Sequence, residues 1–346
     1  MTDRQPPVSE QVRSEPGGGV ARPTPRYGPQ TLIEIDAEVV GRSREAELVV
    51  AALMAGRHLV LEGPPGTGKS TLLRAVAHST DQSFELVEGN AELTPARLVG
   101  HFDPAQVLET GYVKDVWVDG PLARALKEGA LLYLEEINRI PEETLNLLVT
   151  VMSEAELTVP RLGRIDAHPS FRMVAAMNPF DAVGTARISG AIYDRVCRIS
   201  MDYQSEGDEV TIATHHGASP SAFAQSPNYV DRVVELVRAT RSHPEIRVGS
   251  SVRGAVDLLL LSEQLGTLRG MRADDPRVGL DAAKTALSGR IRLHDSSSST
   301  PEDVITSLWD AIMNRPDDDP TDEQPEDPNR GKAVSRREVA TTTKRS

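Results

Sequence analysis

Short apolar runs recur along the first two thirds of the chain, separated by stretches with helical spacing. Leu59–Glu62, Phe84–Val87, Ala130–Leu134 and Phe171–Ala176 read as strands, with a further short one at Cys197–Met201. Arg44–Ala55 and Glu142–Glu154 carry helical patterns between them. Strands that alternate with helices in this way predict a mostly parallel sheet covered on both faces, an α/β three-layer fold. From about Glu206 the pattern becomes helical only. Asp231–Ser242, Ser250–Leu265, Asp281–Ile291 and Pro301–Asn314 are amphipathic and predict a smaller helical domain, and no internal repeat is seen.

The two ends read differently. Residues 1–28 are rich in Pro, Gly, Ser and charge, and residues 315–346 run from acidic to basic, with seven carboxylates between Asp317 and Asp327. Neither composition buries a core, so both are expected to be disordered tails. The expected organisation is a tail over 1–28, an α/β domain over 29–204, a helical domain over 205–314 and a tail over 315–346.

Composition narrows the setting. No run of eighteen apolar residues occurs, and the polar, proline-rich N-terminus has no signal-peptide segment, so membrane insertion is not expected. The single cysteine, Cys197, excludes an internal disulfide framework and fits a reducing, cytoplasmic setting. Its place in Val196-Cys197-Arg198-Ile199 predicts a buried structural thiol. A net charge of −13 speaks against nucleic acid as the main partner.

The chemistry concentrates where the first strand ends. Gly63-Pro64-Pro65-Gly66-Thr67-Gly68-Lys69-Ser70 is a complete G-x-x-x-x-G-K-[ST] loop, and Thr71 continues it into a helical run. An apolar strand before it and a helix after it are the context this motif requires. Backbone N–H groups at such a turn face a polyphosphate, Lys69 adds a positive charge, and the Ser70 hydroxyl is placed for Mg²⁺. A nucleoside triphosphate is therefore the expected ligand.

About sixty-five residues later the strand Leu131–Leu134 ends in Glu135-Glu136. The first acid is expected in the metal shell and the second as general base toward water. Met173–Met177 ends in Asn178-Pro179, which places an asparagine for the γ-phosphate or the water, although an Asx turn before proline would select the same residue. Arg195, in Tyr193-Asp194-Arg195-Val196, reads either as a surface ion pair with Asp194 or as a cation for the phosphates of an adjacent subunit. Arg253 follows a serine N-cap in Gly249–Gly254, where a cation opposes the helix dipole, a sign that it serves a ligand. His215 and His216 are adjacent and read as surface.

Together these motifs resemble the AAA+ ATPases, and within them the MoxR group. Gly63–Ser70, Leu131–Arg139, Met177-Asn178-Pro179, Tyr193–Val196 and Gly249–Gly254 stand in the family's order, and Glu135-Glu136-Ile137-Asn138-Arg139 is similar to the group's acid-acid-Ile-Asn-Arg run. The resemblance spans roughly residues 30–314. It implies an AAA+ core with a C-terminal helical lid, ATP with Mg²⁺ at the site, and a homo-oligomeric ring, a hexamer. It also implies Arg195 acting in trans and Arg253 reporting nucleotide state to the lid. The implied work is remodelling of a protein client, with a von Willebrand A-domain protein as partner.

The resemblance further makes residues 89–120 a helix-2 insert. Within it Gly111–Val113 returns through Val116–Val118 as a hairpin; Leu157–Ile165, before the strand that ends in Asn178, forms a second hairpin. Tyr112 and Trp117 then either contact a client or pack as strand aromatics. Two positions depart from the family pattern: Glu135 stands where aspartate is usual, and Leu86–Asn90 lacks an arginine often found there. Gas-vesicle and carboxylase-activation ATPases are near in pattern. A nucleic-acid motor, supported by Arg161 and Arg164, and a small-molecule kinase or GTP-driven enzyme are the rival readings.

Overall fold

The computed structural model describes residues 25–179, 188–217 and 219–315. The expected tails lie outside it, apart from residues 25–28 and Arg315. Five parallel strands form the central sheet: β1 (His58–Glu62), β2 (Phe84–Glu88), β3 (Leu131–Glu135), β4 (Arg172–Met177) and β5 (Val196–Ser200), in the order β2-β3-β4-β1-β5. Each lies within one residue of the run that predicted it.

The strands are apolar on both sides, as a sheet covered by helices requires. Val60, Leu132, Leu134, Met173 and Ala175 face one buried cluster with helices Pro121–Glu128 and Glu142–Glu154. Leu59, Leu61, Tyr133, Val174 and Ala176 face the opposite cluster, with helices Pro29–Glu38, Ser43–Met54 and Lys69–Ser79. Alternate residues of one strand thus build two cores. The fold is the expected three-layer α/β arrangement.

The helical region has its own core, packed among Tyr229–Ala239, Val252–Arg269, Pro276–Leu287 and Pro301–Met313, with Trp309 and Tyr229 buried in it. It is not purely helical. Ile246–Val248 pairs antiparallel with Arg292–Leu293, a ladder too short to carry a period in the sequence.

Two hairpins leave the sheet. Glu156–Val159 pairs with Gly163–Asp166, as expected, with Arg161 at its tip at φ 68°. The other differs from expectation: Trp117–Asp119 returns against Gly100–Phe102, while Gly111–Val113 forms no strand. Helix Pro104–Thr110 occupies the space between, started by Asp103, whose carboxylate accepts from the N–H groups of Ala105 and Gln106. Phe102 packs edge-on against Tyr112 at 5.2 Å and Trp117 at 5.0 Å, and the Arg161 guanidinium lies 3.8 Å from the Tyr112 ring centre. The two hairpins therefore touch, around an open apolar cavity of about 500 Å³.

Cys197 is exposed, not buried. It lies on β5, which among the described residues pairs only with β1 and forms an edge, so the apolar run around it does not enclose the thiol. His215 and His216 are exposed, as expected.

Candidate functional site

Parallel strands end together, so the residues that follow them share one edge of the sheet. Glu62 pairs with Met177 across β1 and β4, and Glu88 with Glu135 across β2 and β3. The glycine loop, Glu135 and Asn178 therefore leave the same edge on β1, β3 and β4. Helix Lys69–Ser79 starts from the loop with Gly68 as N-cap, so its N-terminal N–H groups point at the site.

Lys69 lies across this loop. Its ammonium donates to the carbonyl oxygens of Gly63 at 2.9 Å and Pro64 at 2.7 Å, and to Thr67 Oγ1 at 3.3 Å. Burial pushes its pKa down to about 8; Arg42 and Arg253 push the same way, and Glu135 opposes them. Those interactions place four charged side chains in one small region, two of them predicted partners of phosphate.

The lid closes on the loop from the other side. Gly66 is at φ 75°, and a Cβ there would overlap Ser251 Oγ and reach Arg253 Cδ at 3.9 Å. Ser251 is the N-cap of Val252–Arg269 but its side chain makes no capping bond. Its hydroxyl is turned to the phosphate loop instead. The expected serine cap is thus found, with a different use for the side chain.

Glu136 sits at φ 51°, a left-handed conformation rarely held by a non-glycine residue, costing on the order of 1–3 kcal/mol. Gly89 packs against this backbone. Its N–H donates to the Glu135 carbonyl at 2.7 Å, and a Cβ at position 89 would overlap the Glu136 carbonyl oxygen. The Glu136 carboxylate pairs with Arg139 at 3.1 Å. Glycine just after β2 therefore leaves room for the backbone carbonyls of both acids.

Arg195 engages its own chain. Its Nε donates to Ser153 Oγ at 2.6 Å and its Nη1 to the Ala191 carbonyl at 2.8 Å, while Asp194 is 3.9 Å away. The Asp194 ion pair weighed from sequence is thus the weakest of its contacts.

Sequence reasoning missed Arg42. It is almost wholly buried, and its guanidinium donates to the Thr67 carbonyl at 3.0 Å, the Asp202 carbonyl at 2.5 Å and Glu45 at 3.0 Å. It ties the N-terminal helices to the phosphate loop and to the lid connection. Two of its partners are backbone oxygens 25 and 160 positions away, which leave no local pattern.

Among the described residues no group of three or more His, Cys, Asp or Glu converges as a metal site. Ser70 and Glu135 alone supply one hydroxyl and one carboxylate. That set suits Mg²⁺, which is typically held by one or two carboxylates, water and substrate phosphates rather than by a protein cage. Among the described residues no helix is long and apolar enough to cross a membrane.

Residues 58–196 match the family described as AAA domain, dynein-related subfamily. The chain is 30% identical over 214 residues to gas vesicle ATPase GvpN1 of Halobacterium salinarum, covering 57% of this chain and 60% of that relative. It is 30% identical over 258 residues to gas vesicle ATPase GvpN of Ancylobacter aquaticus, covering 69% of each chain. With GvpN of Haloferax mediterranei it shares 27% identity over 272 residues, 74% of this chain and 75% of the other. The chain thus spans about three fifths to three quarters of these relatives.

Proposed function

We propose that this chain, which belongs to the AAA ATPases related to the gas vesicle ATPases and matches the dynein-related AAA domain over residues 58–196, hydrolyses ATP to remodel a protein client, working as a ring of identical subunits. The observation that carries the ATP-hydrolysis part of this reading is that Glu135 and Arg253 act on Lys69, while the lid residue Ser251 lies against Gly66 of the phosphate loop.

In this reading the loop N–H groups and Lys69 hold the β and γ phosphates, and Ser70 and Glu135 hold the cation. Bound Mg²⁺ supplies charge neutralisation at the phosphate oxygens. Glu136 takes a proton from the attacking water, and Asn178 orients that water. Arg253 links the lid to the nucleotide, and Arg195 of each subunit serves the site of its neighbour. An arginine used in this way is worth about 10³–10⁵ in rate in related phosphoryl transfers.

The client reading takes its direction from the MoxR resemblance, whereas relatives named gas vesicle ATPases favour a second reading, an ATPase of the gas-vesicle type. The MoxR resemblance adds a hexamer and a von Willebrand A-domain partner, and makes residues 89–120 the helix-2 insert, whose Tyr112 would face the client.

The test is Glu136→Gln, assayed for ATP binding, phosphate release and proteins retained from lysate in the presence of ATP and Mg²⁺. Binding within a few-fold of wild type, phosphate release reduced at least about 100-fold, and an ATP-dependent protein client lost when Lys69 is also changed are expected. Retention of nucleic acid in place of protein would favour the motor reading. Undiminished phosphate release would remove Glu136 from its role.

A further inference from the structure

Glu62 closes β1 and stands next to Gly63, the first residue of the phosphate loop. Its side chain is 5% exposed, and it spends both carboxylate oxygens on one short stretch of chain. Tyr193 Oη donates to Oε1 at 2.6 Å, and Arg198 Nε donates to Oε2 at 2.5 Å. Tyr193 lies two residues before Arg195 and Arg198 three after it. The segment that carries Arg195 is therefore anchored on both flanks to a single buried carboxylate.

The other side of Glu62 is the nucleotide loop. The Gly63 carbonyl accepts from Lys69, and the Gly63 N–H donates to the Met177 carbonyl at 3.1 Å, one residue before Asn178. The same Tyr193 hydroxyl also meets Met177 Sδ at 3.6 Å. Burying a carboxylate costs free energy that an apolar residue at this strand end would not, and that cost is offset only while both donors stay in place. Burial and the bond to Glu62 push the Tyr193 phenol up to about 12, so it remains a donor at every working pH.

We infer that Glu62, Tyr193 and Arg198 form a positioning link through which the phosphate loop of one subunit sets the placement of Arg195, the residue that subunit offers to its neighbour. The link rests on the trans role proposed for Arg195. Movement of Lys69 from the Gly63 carbonyl to phosphate alters the residue bonded directly to Glu62, and both flanks of Arg195 follow that carboxylate. Each subunit would then present its arginine according to its own nucleotide.

Mixed rings test this. Tyr193→Phe removes one hydrogen bond and keeps the ring. Alone, it is expected to bind a fluorescent ATP analogue within about twofold of wild type and to turn over roughly tenfold more slowly, the scale of one hydrogen bond to a charged group. Mixed with excess Glu136→Gln subunits, which are inactive but carry an intact link and Arg195, turnover per Tyr193→Phe site should recover several-fold. Arg195→Ala mixed in the same way is the control and should also recover.

Recovery of Arg195→Ala without recovery of Tyr193→Phe would overturn the link and leave the trans role standing. Failure of both to recover would overturn the trans role, and the link with it. Wild-type turnover by both Tyr193→Phe and Glu62→Gln would likewise overturn the link.

Discussion

Lys69 shows what single residues contribute here. Burial and two neighbouring guanidiniums lower its pKa from 10.5 to about 8, so the site holds a lysine poised to lose its charge just above neutrality. Phosphate favours the charged form, so ATP binding raises that pKa. As pH rises above about 8, binding must therefore take up a proton, and affinity must fall. Calorimetry at pH 8.5, in buffers of different ionisation enthalpy, should show this uptake. Equal affinity at pH 7 and 9.5, with no buffer dependence, would contradict the assigned environment. The loop that contains Lys69 was legible because its residues are contiguous. Arg42 and Glu62 were not, because their partners lie up to 160 positions away and include backbone oxygens.

At the scale of elements, β1 and β4 are joined by a side chain as well as by their ladder. The Met173 N–H donates to His58 Nδ1 at 2.9 Å, which requires that nitrogen to be unprotonated. Burial, with Arg172 adding to it, lowers the His58 pKa from 6.5 to about 4. The folded value lies below the unfolded one, so the unfolded chain binds more protons between those limits and stability is lost as pH falls through them. Denaturant unfolding should show about 2 kcal/mol less stability at pH 5 than at pH 7 from this residue, and His58→Asn should flatten that part of the difference. An unchanged pH dependence in the variant would rule it out. Apolar runs marked the five strands to within a residue, because a strand buried on both faces is apolar at nearly every position. The strand Gly100–Phe102 escaped, since three residues led by glycine and histidine carry no period. Pairing distant in sequence, not local preference, makes it a strand.

For the whole molecule, the site is incomplete within one chain if Arg195 acts in trans. Lys69, Glu135 and Arg253 interact in one subunit, whereas the Arg195 guanidinium is held by Ser153 and the Ala191 carbonyl of its own chain. A kinase-like or monomeric enzyme would keep its specific activity on dilution, because every catalytic group travels with the chain. A ring loses each borrowed arginine when it dissociates. Phosphate release per subunit should therefore fall steeply as protein is diluted below the concentration at which light scattering shows rings to break. Arg195→Ala should start near the diluted wild-type rate and show little further dependence. Constant specific activity across that dissociation would exclude the trans arrangement, and an activity lost in parallel with assembly would tie turnover to the subunit boundary. The acidic balance of the chain works in the same direction, since like-charged subunits associate less readily at low salt. Raising salt to the range that screens charges about 10 Å apart should shift the dilution curve toward lower protein concentration without changing its plateau.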